Sequence, residues 1–542
     1  MTKLRKLQDN PWAVLVLLSL GFFMILLDTT IVNIGIPSIS TDLHASLDQI
    51  LWVLNAYILV YAVLLITAGR LGDLYGQKPL FLIGLVVFTL ASIACGAVQS
   101  PEQLIAARIV QGIGGALLTP QTLSILTTIF PAAKRGAAFG IWGGVAGIAA
   151  IAGPTLGGAL VTYANWRWIF FINVPVGILA LLGGWLVIPN LKAQRRHGLD
   201  IVGVLLATAG LFCITFGLIE GQKYDWGVIT GLLSIPLILA AGAVLLVVFF
   251  VWESFQAEPL VPLSLFRERN FGLMNFTSAA VAFGMLGLFL PLTIFMQSVL
   301  GFSAIKAGLT FLPMTLVSMP IAPFAGRLAD RIGGKYILLV GLTLFAAGFG
   351  LIAWVSGINA DWYTYALPAM VAGVGLGCTF APMTTVAMRN IEARMAGAAS
   401  GVYNTTRQLG GVFGSAIVGA VLQNRLAISL HDEAVSRTAG LPEPIRQKLI
   451  DGFTAAAKTG LAIGRGQGGG VALPPGVSPD VAQQVQRIAH EVFAYGFLDA
   501  MHPTLAVGVV VLFLGAISCL GIKRRARGAP AAASATERVA AA

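Results

Sequence analysis

The sequence predicts an all-α polytopic membrane protein of 14 transmembrane helices, two six-helix pseudo-symmetric bundles plus two inserted helices. Three observations lead there. Hydrophobic residues make up 57% of the chain and charged residues 11%, with a mean hydropathy of +0.85, more apolar surface than a water-soluble core can hide. Apolar runs recur at roughly 20 residues, the length a helix needs to cross hydrocarbon with its backbone hydrogen bonds made internally. Finally, Gly69-Arg70-Leu71-Gly72-Asp73-Leu74-Tyr75-Gly76-Gln77-Lys78 returns as Gly326-Arg327-Leu328-Ala329-Asp330-Arg331-Ile332-Gly333-Gly334-Lys335 with six of ten residues unchanged. The chain is an internal duplication.

In chain order, the spans of the first bundle (residues 1–190) are read near Pro11 to Ile36, Gln49 to Ala68, Pro79 to Val98, Gln103 to Leu126, Gly136 to Thr162 and Arg167 to Ile188. The first is no cleavable signal, because its apolar run is too long and has no small-residue cleavage site. Two inserted spans, Ile201 to Ile219 and Val228 to Trp252, occupy residues 191–256 between basic linkers. The second bundle (residues 257–522) runs through Phe271 to Val299, Ala304 to Ala325, Tyr336 to Ser356, Tyr363 to Ala387, Ala399 to Gln423 and Met501 to Ile522. A basic, then Ala-rich tail fills 523–542. The four cysteines fall inside spans without paired spacing, so they read as packing residues rather than a disulfide or metal framework.

The net charge of +11 does not point to nucleic acid, because its distribution alternates by side. From Lys3, Arg5 and Lys6 onward every second loop is basic: Lys134 and Arg135; Lys192, Arg195 and Arg196; Arg267 and Arg269; Arg389 and Arg394; Lys523 to Arg527. Both termini and both duplicated turns are therefore expected in the cytoplasm, with the chain multi-pass in the cytoplasmic (inner) membrane. Two halves related by an axis along the membrane normal suit a transporter.

On the outer side, residues 424–500 form one long polar excursion with a glycine-rich centre at Gly464 to Gly470 and Pro474-Pro475-Gly476 after it. Such length marks a functional or disordered loop. Ser478-Pro479-Asp480 reads as a helix start, and Val481, Val485, Ile488 and Val492 fall on one face of that helix. Two readings stay open: a helix resting on the outer rim, or a lid or docking site for an extracytoplasmic partner.

Ionisable side chains in hydrocarbon cost several kcal/mol unless paired or wetted, so each is a functional candidate. Asp28 lies about 12–15 Å inside the first span and Arg108 about 10 Å inside the fourth, counted from the same face at the helical rise. Together they suit proton coupling, since a carboxylate's ionisation responds to both burial and a nearby cation; the alternative is a static ion pair fixing two helices. Arg407, with Tyr403 and Asn404, is the polar cluster of the second half, lining the same cavity or snorkelling to the cytoplasmic surface. Asn33, Asn55, Tyr57, Gln111 and Gln297 are polar groups at membrane depth, equally suited to substrate contact and interhelical hydrogen bonding. Glu220 reads as an interfacial residue. Gly147, Gly153, Pro154, Gly157 and Gly158 give the fifth span a small-residue face and a kink. No catalytic constellation and no phosphate-loop motif is present, so the reading is of no enzyme, no cofactor and no metal, with transport driven by an ion gradient or downhill.

The duplicated turn resembles the loop signature of the major facilitator superfamily, Gly-x-Leu-x-Asp-x-x-Gly-x-Lys, and the span count resembles its 14-helix drug:proton antiporter branch. Leu27 to Pro37 is similar to the branch's first-helix motif, Trp52 to Tyr57 to its second-helix opening, and Arg108-Ile109-Val110-Gln111-Gly112 to its fourth-helix motif. Gly153-Pro154-Thr155-Leu156-Gly157-Gly158 resembles the fifth-helix antiporter motif, and Trp166 to Pro175 the entry to helix six. The resemblance implies that Arg108 takes part in proton transfer, beside Asp28 in the first-helix motif. It also implies that Gly69, Arg70, Asp73, Gly76 and Lys78, with Gly326, Arg327, Asp330, Arg331, Gly333 and Lys335, form gating motifs that latch conformations. Three positions depart from the pattern: Leu74 where a basic residue is frequent, Ala149 where a glycine is frequent, and a tenth span with no acidic residue between Gly308 and Ala325. The function so read is proton-coupled multidrug efflux of lipophilic small molecules. The alternatives are a dedicated exporter of one antibiotic, siderophore or lipid, and a non-transporting scaffold or sensor built on the outer loop.

Overall fold

The computed structural model describes residues 10–45, 47–131, 134–190, 200–221, 223–256, 259–392, 395–439, 441, 443–459 and 479–523. The long helices of the first half are α1 (Pro11–Asp42), α2 (Leu47–Tyr75), α3 (Gln77–Ala97), α4 (Pro101–Ile129), α5 (Arg135–Tyr163) and α6 (Trp168–Val187). The insert comes next as α7 (Ile201–Glu220) and α8 (Ile235–Phe255). The second half comprises α9 (Arg269–Ile294), α10 (Leu312–Ile332), α11 (Lys335–Val355), α12 (Trp362–Met388), α13 (Ala396–Arg437) and α14 (Pro479–Ser518). Local chemistry sets the starts. Asn10, Ser100, Asp200 and Ser234 each turn a side-chain oxygen onto a first-turn N–H of α1, α4, α7 and α8, and Pro11, Pro101 and Pro236 sit where no N–H is needed.

Among the described residues, twelve of these helices are long and apolar enough to cross a membrane: α1 to α4, α6 to α9 and α11 to α14. The other two, α5 and α10, run against each other between the halves, so close that a Cβ on Gly140 would meet the Ala322 carbonyl at 2.8 Å. In α10, Pro313, Pro320 and Pro323 and the charged end Arg327, Asp330 and Arg331 dilute the apolar character.

Several boundaries differ from the hydropathy reading. The eighth span does not begin at Val228: residues Val228–Thr230 and Leu233–Ser234 pair as a small antiparallel hairpin turning at Gly231, and the helix waits for Ser234-Ile235-Pro236. The tenth span is broken, with a short helix Ala304–Thr310 ahead of α10, where Phe311 leaves the helical region before Pro313. The largest correction is the outer excursion. Instead of a loop from 424, α13 continues unbroken for 42 residues and α14 is one helix of 40 residues beginning at Pro479. At the helical rise these are about 60 Å long, twice the hydrocarbon thickness. Their projecting ends close with the helix Glu443–Thr459 on an apolar core of Leu430, Leu449, Phe453, Val492, Phe493 and Phe497. Hydropathy missed this because the extension is amphipathic and packs in water. The glycine-rich centre 464–470, Pro474 to Gly476 and Ser478 lie outside the described residues.

The insert stands beside the seam between the halves. Leu218 and the neighbouring Ile214 and Ile219 pack against Val412 and Ala416 of α13 and Ile58 of α2, so one helix pair touches both bundles.

Candidate functional site

The first half is built around one ion pair. Arg108 Nη1 of α4 donates to Asp28 Oδ2 of α1 at 2.5 Å, and the two residues are 1% and 0% exposed. The guanidinium also donates from Nε to the Val53 carbonyl at 3.1 Å and from Nη1 to Gln111 Oε1 at 2.7 Å, and lies 4.2 Å from the centre of the Tyr57 ring. The second carboxylate oxygen, Asp28 Oδ1, accepts from Gln111 Nε2 at 2.8 Å and Asn173 Nδ2 at 3.2 Å. Behind them Ser92 Oγ accepts from the same two amides at 3.3 and 3.1 Å and donates to the Phe170 carbonyl at 2.9 Å. Cys95 donates to Gln111 Oε1 at 3.6 Å.

Five helices therefore converge on one carboxylate. Removing two charges from water costs several kcal/mol per ion, and only good geometry with the remaining valences filled offsets it. Each hydrogen bond between Asp28 and Arg108, Gln111 or Asn173 is one that the carboxylate accepts.

From Tyr57 the cluster extends toward the second half. The rings of Tyr57 and Tyr61 stack at 5.9 Å, Tyr61 donates to Thr119 Oγ1 at 3.0 Å, and Arg407 of α13 lies beside the same hydroxyl. Tyr403 and Asn404 are buried; Asn404 donates to the Ser400 carbonyl at 2.9 Å, within its own helix. Asn55 is half-buried on α2, and Gln297 is half-buried in a π turn, Phe295–Val299, that ends α9. Neither belongs to the hydrogen-bonded shell of Asp28. The Asn33 side chain lies outside the described residues.

The duplicated turns form a second construction, and its two copies cross. Asp73, at the end of α2, accepts from the Gly397 and Ala398 N–H groups at 2.9 and 2.8 Å, which are the first turn of α13 in the other half. Asp330, at the end of α10, accepts from the Gly136 N–H at 3.1 and 3.0 Å, the first turn of α5. Each carboxylate meets unpaired donors and the positive end of a helix dipole. Glycines allow the approach: a Cβ at Gly69 would strike the Gly397 carbonyl and one at Gly326 the Gly136 carbonyl. Gly76 and Gly333 end the turns at φ +99° and +88°, a region that side-chain-bearing residues avoid. Lys78 and Lys335 act within their own halves. Lys78 donates to the Trp185 and Ile188 carbonyls at the end of α6, at 2.8 and 2.6 Å, and Lys335 to the Leu520 carbonyl beyond α14, at 2.6 Å. Arg70 adds its charge beside Asp73.

In α5, Gly153 faces Thr30 and Gly157 faces Ile31, where a Cβ would meet Ile31 Cγ1 at 2.8 Å, while Gly158 is half-buried. The small-residue face thus packs on α1 within a helical turn of Asp28. The surroundings of Gly147 and of the Pro154 side chain lie outside the described residues. At the end of the molecule away from the duplicated turns, Asp42 accepts from Trp166 Nε1 at 3.0 Å and Arg167 Nη1 at 2.6 Å. These bonds hold the Asp42 carboxyl below its usual range.

Glu220, the last residue of α7, is 4% exposed, with Lys223 Nζ at 3.6 Å. Sequence reasoning did not single out Ser92, Cys95 or Asn173 as parts of the Asp28 shell. Asn173 stood inside the helix-six string, and a carboxamide after four apolar residues was the available signal.

Residues 18–415 match the family model described as Major Facilitator Superfamily. The chain belongs to the major facilitator superfamily. Among curated superfamily relatives, an uncharacterised MFS-type transporter of Mycobacterium tuberculosis is 41% identical over 448 residues, covering 81% of this chain and 76% of its own length. The tetracenomycin C resistance and export protein of Streptomyces glaucescens is 35% identical, covering 78% and 77%. The multidrug resistance protein Stp of M. tuberculosis is 34% identical, covering 80% of each. The fold is also similar to the human organic anion transporter MFSD10, with a TM-score of 0.54 at 15% identity, over 89% of this chain and 99% of that one.

Proposed function

We propose that this protein is a proton-coupled antiporter that exports lipophilic small molecules across the cytoplasmic membrane. The observation that carries the reading is the sealed Asp28–Arg108 pair, one ionisable carboxylate at the meeting point of five helices, where a proton and a change of packing are tied to the same atoms. Relatives named for antibiotic resistance and export support the direction and class of cargo. In this reading all 14 long helices cross the bilayer, residues 1–190 and 257–522 are the moving bodies, 191–256 is the inserted pair, and the termini and both turns face the cytoplasm.

The crossed contacts of Asp73 and Asp330 then close the cytoplasmic side. Protonation of Asp28 from outside removes the negative partner of Arg108, loosening the packing of α1 and α4 and favouring release and return of the carrier. Deprotonation to the cytoplasm restores the pair, and Gly153 and Gly157 let α5 follow α1 closely. Tyr57, Gln111, Arg407 and the half-buried Asn55 and Gln297 supply polar contacts for cargo, with Asn33, Tyr403 and Asn404 beside them.

The test is proton release from purified protein in liposomes on adding a lipophilic dye, with and without a pH gradient. Wild type exchanges dye for protons and Asp28→Asn keeps dye binding but loses gradient-driven flux. Undiminished gradient-driven flux in the variant would remove Asp28 from the coupling step. A second reading, export of one dedicated compound, is favoured by the relative named for tetracenomycin C; a panel of chemically unrelated substrates separates the two, since only multidrug export moves several.

A further inference from the structure

Asp28 accepts from Arg108, Gln111 and Asn173, and within that shell one acceptor has nothing to accept. Asn173 Oδ1 is buried with no hydrogen-bond partner, and the residue is 0% exposed. Its amide nitrogen is fully used, donating to Asp28 Oδ1 at 3.2 Å and Ser92 Oγ at 3.1 Å. An unpaired acceptor inside a protein costs about 1–3 kcal/mol, so this oxygen needs a use.

We propose that Asn173 is the residue that reads the protonation state of Asp28, by turning its carboxamide over. The inference rests on the proton-coupled reading above. With Asp28 ionised, Nδ2 faces the carboxylate and Oδ1 is left over. A protonated Asp28 carries an O–H that must be donated. Gln111 Oε1 is engaged by Arg108 at 2.7 Å and by Cys95 at 3.6 Å, and Ser92 Oγ already accepts from two amides. A half-turn of the Asn173 amide brings Oδ1 to the acid proton, and the Ser92 hydroxyl can rotate from the Phe170 carbonyl to the same oxygen. The turn leaves the two N–H groups of Nδ2 where Oδ1 was and takes the Ser92 hydroxyl from the Phe170 carbonyl, so by itself the amide prefers its present orientation and the acid proton at Oδ1 is what offsets the change. Arg108, Cys95, Tyr57 and Gln111 surround the carboxylate from α4, α3, α2 and α4; of the three residues hydrogen-bonded to Asp28, namely Arg108, Gln111 and Asn173, it is Asn173 that has a donor and a free acceptor on one pivot.

Asn173 begins the long segment of α6, Asn173–Val187, just after the break that separates it from Trp168–Phe171. The amide therefore sits at a joint in the helix. Asn173 is a positioning residue here: it carries no proton, but it fixes which form of Asp28 the surrounding helices accommodate.

Infrared difference spectra of the reconstituted full chain between acid and neutral pH test this. The expected result is a carboxylic C=O band that Asp28→Asn removes, and a side-chain amide band that Asn173→Leu removes, titrating with the same midpoint. In dye-driven proton release, Asn173→Leu moves the apparent midpoint or broadens it by about one pH unit, the worth of one hydrogen bond, whereas Asn173→Gln, which keeps both amide ends, restores it in part. An Asp28 band that titrates with no accompanying amide band overturns the proposal while leaving the coupling site intact. Absence of the Asp28 band itself overturns the coupling reading instead. A misfolded Asn173→Leu is detected by thermal unfolding and replaced by Asn173→Ser, for which the same loss of the amide band is expected.

Discussion

At the scale of single residues, the Asp28–Arg108 pair makes opposite demands on its two members. Removing the cation leaves a carboxylate buried without its charge partner, a loss on the order of 3–5 kcal/mol for a sealed pair, while replacing both partners together costs far less. Arg108→Gln is therefore expected to lower the unfolding temperature in detergent by several degrees, and the double variant Asp28→Asn with Arg108→Gln to recover much of it. Equal stability of Arg108→Gln and wild type would mean that the pair does not hold α1 to α4. Asp42 gives a pH-dependent counterpart outside the spans. Its carboxyl is held low by Trp166 and Arg167, so the native state favours the ionised form. That contribution is complete above the ordinary carboxylate value of about 4 and is lost as pH falls through the lower folded value. Asp42→Asn should destabilise by no more than about 1 kcal/mol at pH 7, as an exposed pair does, and the difference should shrink progressively as pH falls below the ordinary carboxylate value of about 4. Unfolding curves across that range decide it.

At the scale of elements, the two crossed turn contacts obey one rule written twice. A carboxylate at the end of the second helix of each half sits on the N-terminus of the fifth helix of the other, and a lysine five residues later caps the sixth helix of its own half. Each charge–dipole contact is worth about 0.3–1 kcal/mol when exposed and up to ~2 when part-buried. Asp73→Asn with Asp330→Asn together should therefore shift the balance toward an open turn side by about ten- to a hundredfold. Labelling of a cysteine introduced near Gly397 reports it as a faster reaction. Gly69→Leu should act more strongly, because a side chain there meets backbone rather than a movable group. Unchanged labelling in Gly69→Leu would show that the halves do not need this contact. Much of this was legible beforehand: the repeated string gave the turns, and the positions of Asp73 and Asp330 in it. Which helix each carboxylate caps was not, because the partners lie 324 and 194 residues away and no local pattern encodes that distance.

At the scale of the whole molecule, the Asp28–Arg108 cluster and the crossed turn contacts share α2. From Val53, which accepts from Arg108, to Asp73 is about 30 Å of helix, with Tyr57 and Tyr61 between and Arg407 of the other half reaching in. A rigid helix of that length transmits a tilt at one end to the other without a dedicated chain of contacts. The projecting ends of α13 and α14, with the helix Glu443–Thr459, continue the core of the bundle. Replacing residues 440–478 with a short flexible linker should leave gradient-driven dye flux intact while lowering thermal stability, since Leu449 and Phe453 are lost from the outer core. Loss of flux in a well-folded deletion would give that segment a part in transport.

The sequence by itself determined the membrane class, the helical class, the duplication and the choice of Asp28 and Arg108 as ionisable residues inside apolar spans. Those come from composition and period, which are local properties that hydrocarbon enforces span by span. Tertiary structure decided what the residues do for one another. It gathered Ser92, Cys95, Gln111 and Asn173 from three helices around Asp28, crossed the two turn contacts, laid the insert along the seam, and turned a supposed loop into a helical outer core. Helix order can be read along a chain, but rotation about each helix axis is set only when neighbours pack, and that rotation chooses which polar groups meet.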